Sequence, residues 1–389
     1  MDPLFDAAEY ARRLTLVRAR MAAHGIDVLV EADPANMNYL TGYDGWSFYT
    51  PQVVLLPMEG EPVWVGRGLD RGGAVLTCHM APENLVPYPD HLVQHPTLHP
   101  MQFAAEEMAR RGWAKARVGI ADDCFTFTPR ARDTLEASLP EARVVVADLL
   151  VNWVRLVKSD AEIAVMRKAA RTVERMMEAY YRHMRPGARQ CDVASEIIKV
   201  QVAGTEAGGG DYTTPIFMPV GRQTSASHLT WTDQIIPAGQ TSYLECAGVH
   251  RRYHCPLART IHLGTPTQKL LDMNKAVLES MDAALAQVKP GNTCEQVEDA
   301  FRTTMARHGL KKESRIGYPI GIGYPPTWGE RTASLRQGDK TVLEPNMCFH
   351  MILGMWQGDW GFETSESFRV TEAGHECFAS VPRELKVVN

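Results

Sequence analysis

At 389 residues the chain is long enough for two domains with sizeable cores, and its 45% hydrophobic and 22% charged content is ordinary for a soluble globular protein. A net charge of −5 weighs against nucleic acid or an anionic membrane as a partner, and no run approaches the roughly 20 apolar residues of a membrane span. The acidic, then amphipathic, N-terminus lacks the basic and apolar regions of a secretory signal, and the eight cysteines contain no CxxC pair, so the expectation is a cytoplasmic protein with reduced thiols.

Residues 7–25 place Leu14, Val17 and Met21 at helical spacing and end at His24-Gly25, a C-terminal cap. IDVLVEA (26–32) reads as a buried strand, and residues 34–49 as a polar-aromatic loop. VVLLP (53–57) and PVWVGR (62–67) read as strands joined by a turn. A helix near 100–111, the strand ARVGIAD, a helix near 130–138 and the strand ARVVVAD complete the first unit. This alternation predicts a small α/β domain that ends near Leu150, with domain bounds of 1–155 and 156–389.

The second unit begins with a long helix. Ser159 is its N-cap, and Glu162 three residues on completes a capping box. The helix stops at Arg185-Pro186-Gly187, where an echo begins: MRPGARQCDVASEII (184–198) parallels VKPGNTCEQVEDAF (288–301). Each copy follows a helix and precedes a strand-like region. Two similar halves predict a duplicated α+β domain with its site at the pseudo-symmetric seam.

Several long phrases are unusual: NYLTGYDGWSFY (38–49), GEPVWVGRGLD (60–70), YPDHLVQ (88–94), VNWVRLVKS (151–159), SASHLTW (225–231), RRYHCPLART (251–260), SRIGYPIGIGYPPTWGERT (314–332) and DWGFETSES (359–367). They resemble the creatinase/aminopeptidase P/prolidase (M24-like) family, and within it the ectoine hydrolases. The resemblance spans nearly the whole chain. It implies an α+β fold: a C-terminal "pita-bread" catalytic domain, built from a duplicated half-motif, behind a smaller creatinase/prolidase-type α/β domain.

The wider family binds a pair of divalent metals, and its ligand positions can be placed on this chain. Its two aspartates, eleven residues apart, fall at Glu245 and Pro256. Its histidine falls at Tyr318, and its two glutamates fall near Ile352 and near Ser365, between Glu363 and Glu366. One carboxylate and a phenol do not make a bridged metal pair, so the expectation is no metal and no cofactor. Activated water must then come from side chains.

Glu245 stands first among the candidates, because a charge inside the apolar strand TSYLECAG is costly unless it is paired or functional. His228 follows: SASHLTW resembles the segment holding the proton-transfer histidine of creatinase-like enzymes. Glu363 and Glu366 fall on opposite faces of a strand, and the register favours Glu366 as the one facing the site. Tyr253 and Tyr318 are candidate hydrogen-bond donors to a developing anion or a leaving nitrogen. Pro256 lines the site at the lost ligand position. From the first domain, Asp44, Trp46 and Phe48 are offered as substrate-binding groups, the aromatics as apolar or cation–π walls. Residues 211–223 line the pocket, whereas His254, His262 and His350 read as structural. Asn346 replaces the glycine of a Pro-Gly-Met turn, which asparagine tolerates.

The resemblance implies a cyclic amidine substrate of the ectoine type, opened to N-acetyl-diaminobutyrate with Glu245 attacking directly or aligning a water. It also implies a homodimer and a deacetylase acting next. A creatinase-like amidinohydrolase on another amidino or guanidino acid, a degenerate member that only binds, and a peptidase using another metal remain as alternatives.

Overall fold

The structure is a computed structural model that describes residues 4–388; residues 1–3 of the acidic N-terminus and residue 389 lie outside the described residues. Contacts divide the chain after Arg155 into two compact units.

The first unit contains α1 (Ala7–Ala23), β1 (Val28–Glu31), α2 (Pro34–Thr41), β2 (Val53–Pro57), β3 (Val63–Arg67), α3 (Arg71–Thr77), β4 (Leu85–Tyr88), α4 (Pro100–Arg110), β5 (Arg117–Ile120), α5 (Pro129–Ser138), β6 (Arg143–Val146) and α6 (Leu150–Arg155). Its sheet runs β4-β3-β2-β1-β5-β6, parallel except for the two pairings that β2 makes with β1 and β3. Val28, Val30, Val53 and Val118 pack with Met101 and Met108 in its core. The expected loop at residues 34–49 is corrected: its first half is the helix α2. Asp33 caps it by accepting from the amides of Ala35 and Asn36, Pro34 fills the first turn, and Gly42 ends it at φ 79°. Those stop and start signals outweigh the polar composition that suggested a loop.

The second unit contains α7 (Asp160–His183), α8 (Gln190–Ala203), β7 (Thr241–His250), β8 (Tyr253–Leu263), α9 (Gln268–Leu285), α10 (Cys294–Arg307), β9 (Gly317–Tyr324), β10 (Thr327–Gly329), β11 (Cys348–Gln357), β12 (Trp360–Val370), β13 (His375–Cys377) and β14 (Lys386–Val388). Its sheet runs β13-β12-β11-β9-β8-β14, with β7 paired to β8 and β10 to β9. The capping box forms at the start of α7, where Ser159 Oγ accepts from the Glu162 amide at 3.2 Å and Glu162 Oε2 accepts from the Ser159 amide at 2.9 Å. α7 lies against β7 and β8. It comes so close at Gly248 that a Cβ there would sit 2.1 Å from the Ala169 carbonyl oxygen.

The duplication is visible bond by bond. Gly187 and Gly291 adopt φ 87° and 89°. The Gly187 amide donates to the Ile236 carbonyl at 2.9 Å, and the Ile236 amide donates back to Ala188 at 2.8 Å. In the second half, Gly291 donates to Leu343 at 3.0 Å and Leu343 donates back to Asn292 at 2.8 Å. A helix (α8 or α10) follows each turn, and a long antiparallel hairpin (β7–β8 or β11–β12) closes each half. This is the pita-bread arrangement. No helix among the described residues is long and apolar enough to cross a membrane.

Candidate active site

The two hairpins bring two carboxyls together. Glu245 sits mid-β7, opposite Ala258 of β8, and its free edge is closed by Phe217, whose amide and carbonyl both bond the Glu245 backbone at 2.9 Å. Glu363 sits on β12 opposite Gly354 of β11. Thr260 fixes the Glu363 backbone from β8: its hydroxyl donates to the Glu363 carbonyl at 2.7 Å and accepts from the amide at 2.9 Å. The two side chains are buried, 5% and 2% exposed, and lie close enough to shift each other's ionisation. Burial pushes Glu245 well above the usual carboxylate range, and the Glu363 charge pushes it further. Burial also raises Glu363, against a downward pull from the Lys312 ammonium and the bond from Glu245. Two buried carboxyls in contact cannot both ionise cheaply, so the pair shares one proton. Lys312 makes Glu363 the seat of the negative charge.

A second group lies alongside. Trp328 Nε1 donates to the Tyr318 oxygen at 2.9 Å, Tyr318 lies 3.1 Å from His350 Nδ1, and His350 Nε2 lies 2.7 Å from Ser365 Oγ. Ser365 Oγ also accepts from the Ala258 amide at 2.6 Å. Burial pushes the His350 imidazole down to about 3, so it is neutral and one nitrogen donates while the other accepts. Because the indole can only donate, the Tyr318 oxygen accepts there and its hydroxyl is free to donate to Nδ1, which leaves Nε2–H for Ser365. Burial and the Glu245 charge raise the Tyr318 phenol far above its usual range, so it stays protonated.

Two family models match the chain. That of metallopeptidase family M24 covers residues 164–372, and that of the creatinase/prolidase N-terminal domain covers residues 13–157. The chain belongs to metallopeptidase family M24. It is 45% identical to the ectoine hydrolase of Halomonas elongata over 98% of each chain. Its fold is that of the dipeptidase PepE from Mycobacterium ulcerans (TM-score 0.82, 24% identity, 99% of each chain) and of a prolidase from Thermococcus sibiricus (TM-score 0.84, 18% identity, 98% of this chain and 100% of that one).

The residues at the M24 ligand positions do not fit a metal pair. Pro256 and Ile352 carry no donor atom, the Ser365 hydroxyl is engaged by an amide and an imidazole, and Tyr318 holds its proton. Among the described residues, no group of three or more His, Cys, Asp or Glu converges as a metal cluster. Pro256 stands opposite Ala247, and its carbonyl accepts from Ser367 Oγ at 2.6 Å.

Two expectations about facing are corrected. Glu366 does not turn toward Glu245. It accepts from Arg259 Nη2 at 2.7 Å and Arg383 Nε at 2.9 Å on the other face of β12, because Thr260 and Ser365 set the register with Glu363 inward. Tyr253 is drawn to the helix start instead: its hydroxyl donates to Glu162 Oε1 at 2.9 Å, within the capping box of α7. His350, read from sequence as structural, is the centre of the Tyr318–Ser365 chain. Its position opposite Tyr318 and two residues before Ile352 was the available signal.

His228 is exposed, with φ 62°, and its ring meets Phe217 edge-on at 5.3 Å between centroids. Tyr243, two residues before Glu245, donates to Ala226 at 2.9 Å and so ties the His228 segment to β7. Residues 211–223 reach the site through Phe217 and through Thr213, whose hydroxyl lies 2.8 Å from His254 Nε2. Burial holds His254 down to about 4, and His262 bonds Thr241 and the Thr265 carbonyl. Asn346 takes φ 67°, the left-handed turn conformation. In the first unit, the Trp46 and Phe48 rings meet edge-on at 5.2 Å, Trp46 is 59% exposed, and the Asp44 amide donates to Thr77 Oγ1. Sequence reasoning missed Lys312 and Trp356, which carry no motif, and Trp328, which lies within the phrase at 314–332.

Proposed function

We propose that the protein is a metal-independent hydrolase that opens the ring of ectoine-type cyclic amidines to give N-acetyl-diaminobutyrate. The observation that carries this reading is the buried Glu245–Glu363 pair, both carboxyls held above the ordinary range, standing where the M24 frame otherwise holds metals. The 45% identity to an ectoine hydrolase supports the substrate class.

An amidinium carries one positive charge on two N–H groups, which the singly charged pair matches in charge and in acceptors. Attack on the amidine carbon comes from a water held by the pair or from the Glu245 carboxylate after its proton has moved to Glu363. In the water route the ionised carboxylate takes the water's proton as the C–O bond forms, and the amidinium becomes a neutral tetrahedral adduct. The pair then returns a proton to the ring nitrogen as the C–N bond breaks. Atoms and charges balance: one water is consumed and the pair ends as it began. As the adduct forms, Tyr318, kept protonated, turns its one hydroxyl proton from His350 Nδ1 to the adduct. His228, on the Phe217 ring, serves proton exchange with the leaving nitrogen.

Incubating ectoine with protein stripped by a chelator tests this. Acetylated diaminobutyrate should appear by NMR at an undiminished rate, with bound metal well below one per chain. Loss of activity with the chelator and its return with a divalent ion would overturn the reading. A single turnover in 18O-water reports on the routes, because direct attack followed by water addition at the Glu245 carboxyl carbon, with cleavage of the carboxyl C–O bond, leaves an oxygen of Glu245 in the first product. The acetyl group on the product makes a deacetylase the class of enzyme that consumes it.

A further inference from the structure

Lys312 stands on the segment between α10 and β9. Its Nζ donates to Ser314 Oγ at 2.8 Å and to the Gly354 carbonyl at 3.0 Å, and it lies 5.1 Å from the centroid of the Trp356 ring. Gly354 is the residue directly across the hairpin from Glu363. Beside them is a cavity of about 540 Å³ whose walls include Gly309, Lys312, Ser314, Gly354, Trp356 and Gln357. Trp356 arches over Gly354, where a Cβ would meet the indole at 2.5 Å. Only glycine there lets the ring close the wall.

An ammonium has three protons, and two are given to neutral acceptors here. Burial pushes Lys312 down to about 8, and the charge of Glu363 pulls it back only in part. Among the described residues, no anionic group is in contact with this cation. The next cation along the chain is committed: the Arg315 guanidinium lies 4.5 Å over the Tyr318 ring and donates to Ser334 Oγ at 3.2 Å.

Lys312 is thus an ammonium beside a cavity, bonded to the residue that pairs across the hairpin with Glu363. We propose that Lys312 and this cavity bind the carboxylate of an amidino-acid substrate, making Lys312 the residue that selects zwitterions over bare amidines. This rests on the hydrolase reading above. With the carboxylate on Lys312, the amidinium faces Glu363 and Glu245, so both charges of the substrate meet opposite charges.

The test compares ectoine with its decarboxylated analogue, 2-methyl-tetrahydropyrimidine, in the wild type, Lys312→Met and Lys312→Arg. Methionine keeps an apolar stem against Trp356. With ectoine, Lys312→Met should lower kcat/KM by about 30- to 100-fold, chiefly through KM, the size of a lost charge-assisted contact. The analogue shares whatever loss follows from the weakened charge on Glu363, so the subsite is read as the roughly 30- to 100-fold by which the ectoine loss exceeds the analogue loss, and Lys312→Arg should restore most of the ectoine activity. Equal losses on both substrates, or no loss on either, would overturn the subsite while leaving the hydrolase reading intact. Folded wild type that turns over neither amidine, measured alongside, would instead sink the hydrolase reading and the subsite together.

Discussion

Glutamine at position 366, compared with glutamine at 363, separates a structural carboxylate from the one the proposed reaction uses, three residues away. Glu366 accepts from Arg259 and Arg383, and the Glu366 and Arg259 side chains are only 2% and 1% exposed. The remaining Arg259 donors are spent on the carbonyls of Ala258, Ser365, Val381 and Pro382, so the guanidinium has no second anion to turn to. Removing one partner of a buried pair costs about 3–5 kcal/mol. Glutamine keeps an acceptor oxygen and Arg383 is partly solvated, so the expected cost is nearer about 2–3 kcal/mol. At about 2–4 °C per kcal/mol for a domain of this size, Glu366→Gln should lower Tm by roughly 4–12 °C. Ring-opening activity below that transition should persist.

Glu363→Gln should do the reverse. It leaves the pair without the seat of its charge, so turnover should fall by about 10²–10⁴-fold, the usual worth of a general acid–base group. Its Tm near pH 8 should hold or rise, because one of two repelling buried carboxyls is gone. The assay is a thermal melt by circular dichroism beside initial rates by NMR. If Glu366→Gln abolishes turnover without lowering Tm, the facing of β12 argued above is wrong.

Tyr253→Phe removes the hydroxyl on Glu162 and should cost about 1–2 kcal/mol in urea unfolding while kcat stays put. His228→Ala should lower kcat by about 10²-fold with no change in Tm, since the ring is exposed; a wild-type rate would remove His228 from the chemistry. Stability should also depend on pH in a definite direction. Both carboxyls of the pair are raised above the ordinary 4.5, so the folded state holds its proton more tightly than the unfolded chain. That stabilisation is complete below 4.5 and is lost as pH rises through the raised values. Wild-type Tm should therefore fall through neutrality more steeply than that of Glu245→Gln, and parallel curves would refute the shared proton.

What could be read from sequence was local or rested on long matching phrases. The Ser159–Glu162 capping box needs only three residues of spacing, and the Pro-Gly turns at 187 and 291 announced two halves before their matching amide bonds were visible. Facing was harder. A strand turns over at every residue, so an inward Ser365 puts Glu363 inward and a slip of one residue puts Glu366 there instead, and only the placing of β12 against β8 fixes which. The Thr260 hydroxyl makes that placement, from more than one hundred positions away. Tyr253 was misjudged for the same reason, since Glu162 lies 91 residues earlier. Lys312 has no motif at all, and only folding sets it against the partner strand of Glu363.

The replaced ligands also explain one another. A dinuclear centre needs several carboxylates because two dications must be balanced. On the metal-independent reading proposed above, the same carboxylates would repel in a buried site, and Pro256, Ile352 and Ser365 remove that problem by removing charge. Tyr318 and Ser365 take up both ring nitrogens of His350 in a neutral hydrogen-bonded chain. Two carboxyls with one proton remain. A site of that charge is poorly suited to a neutral peptide bond and well suited to a cation, and an amidinium brings the positive charge with the bond to be broken.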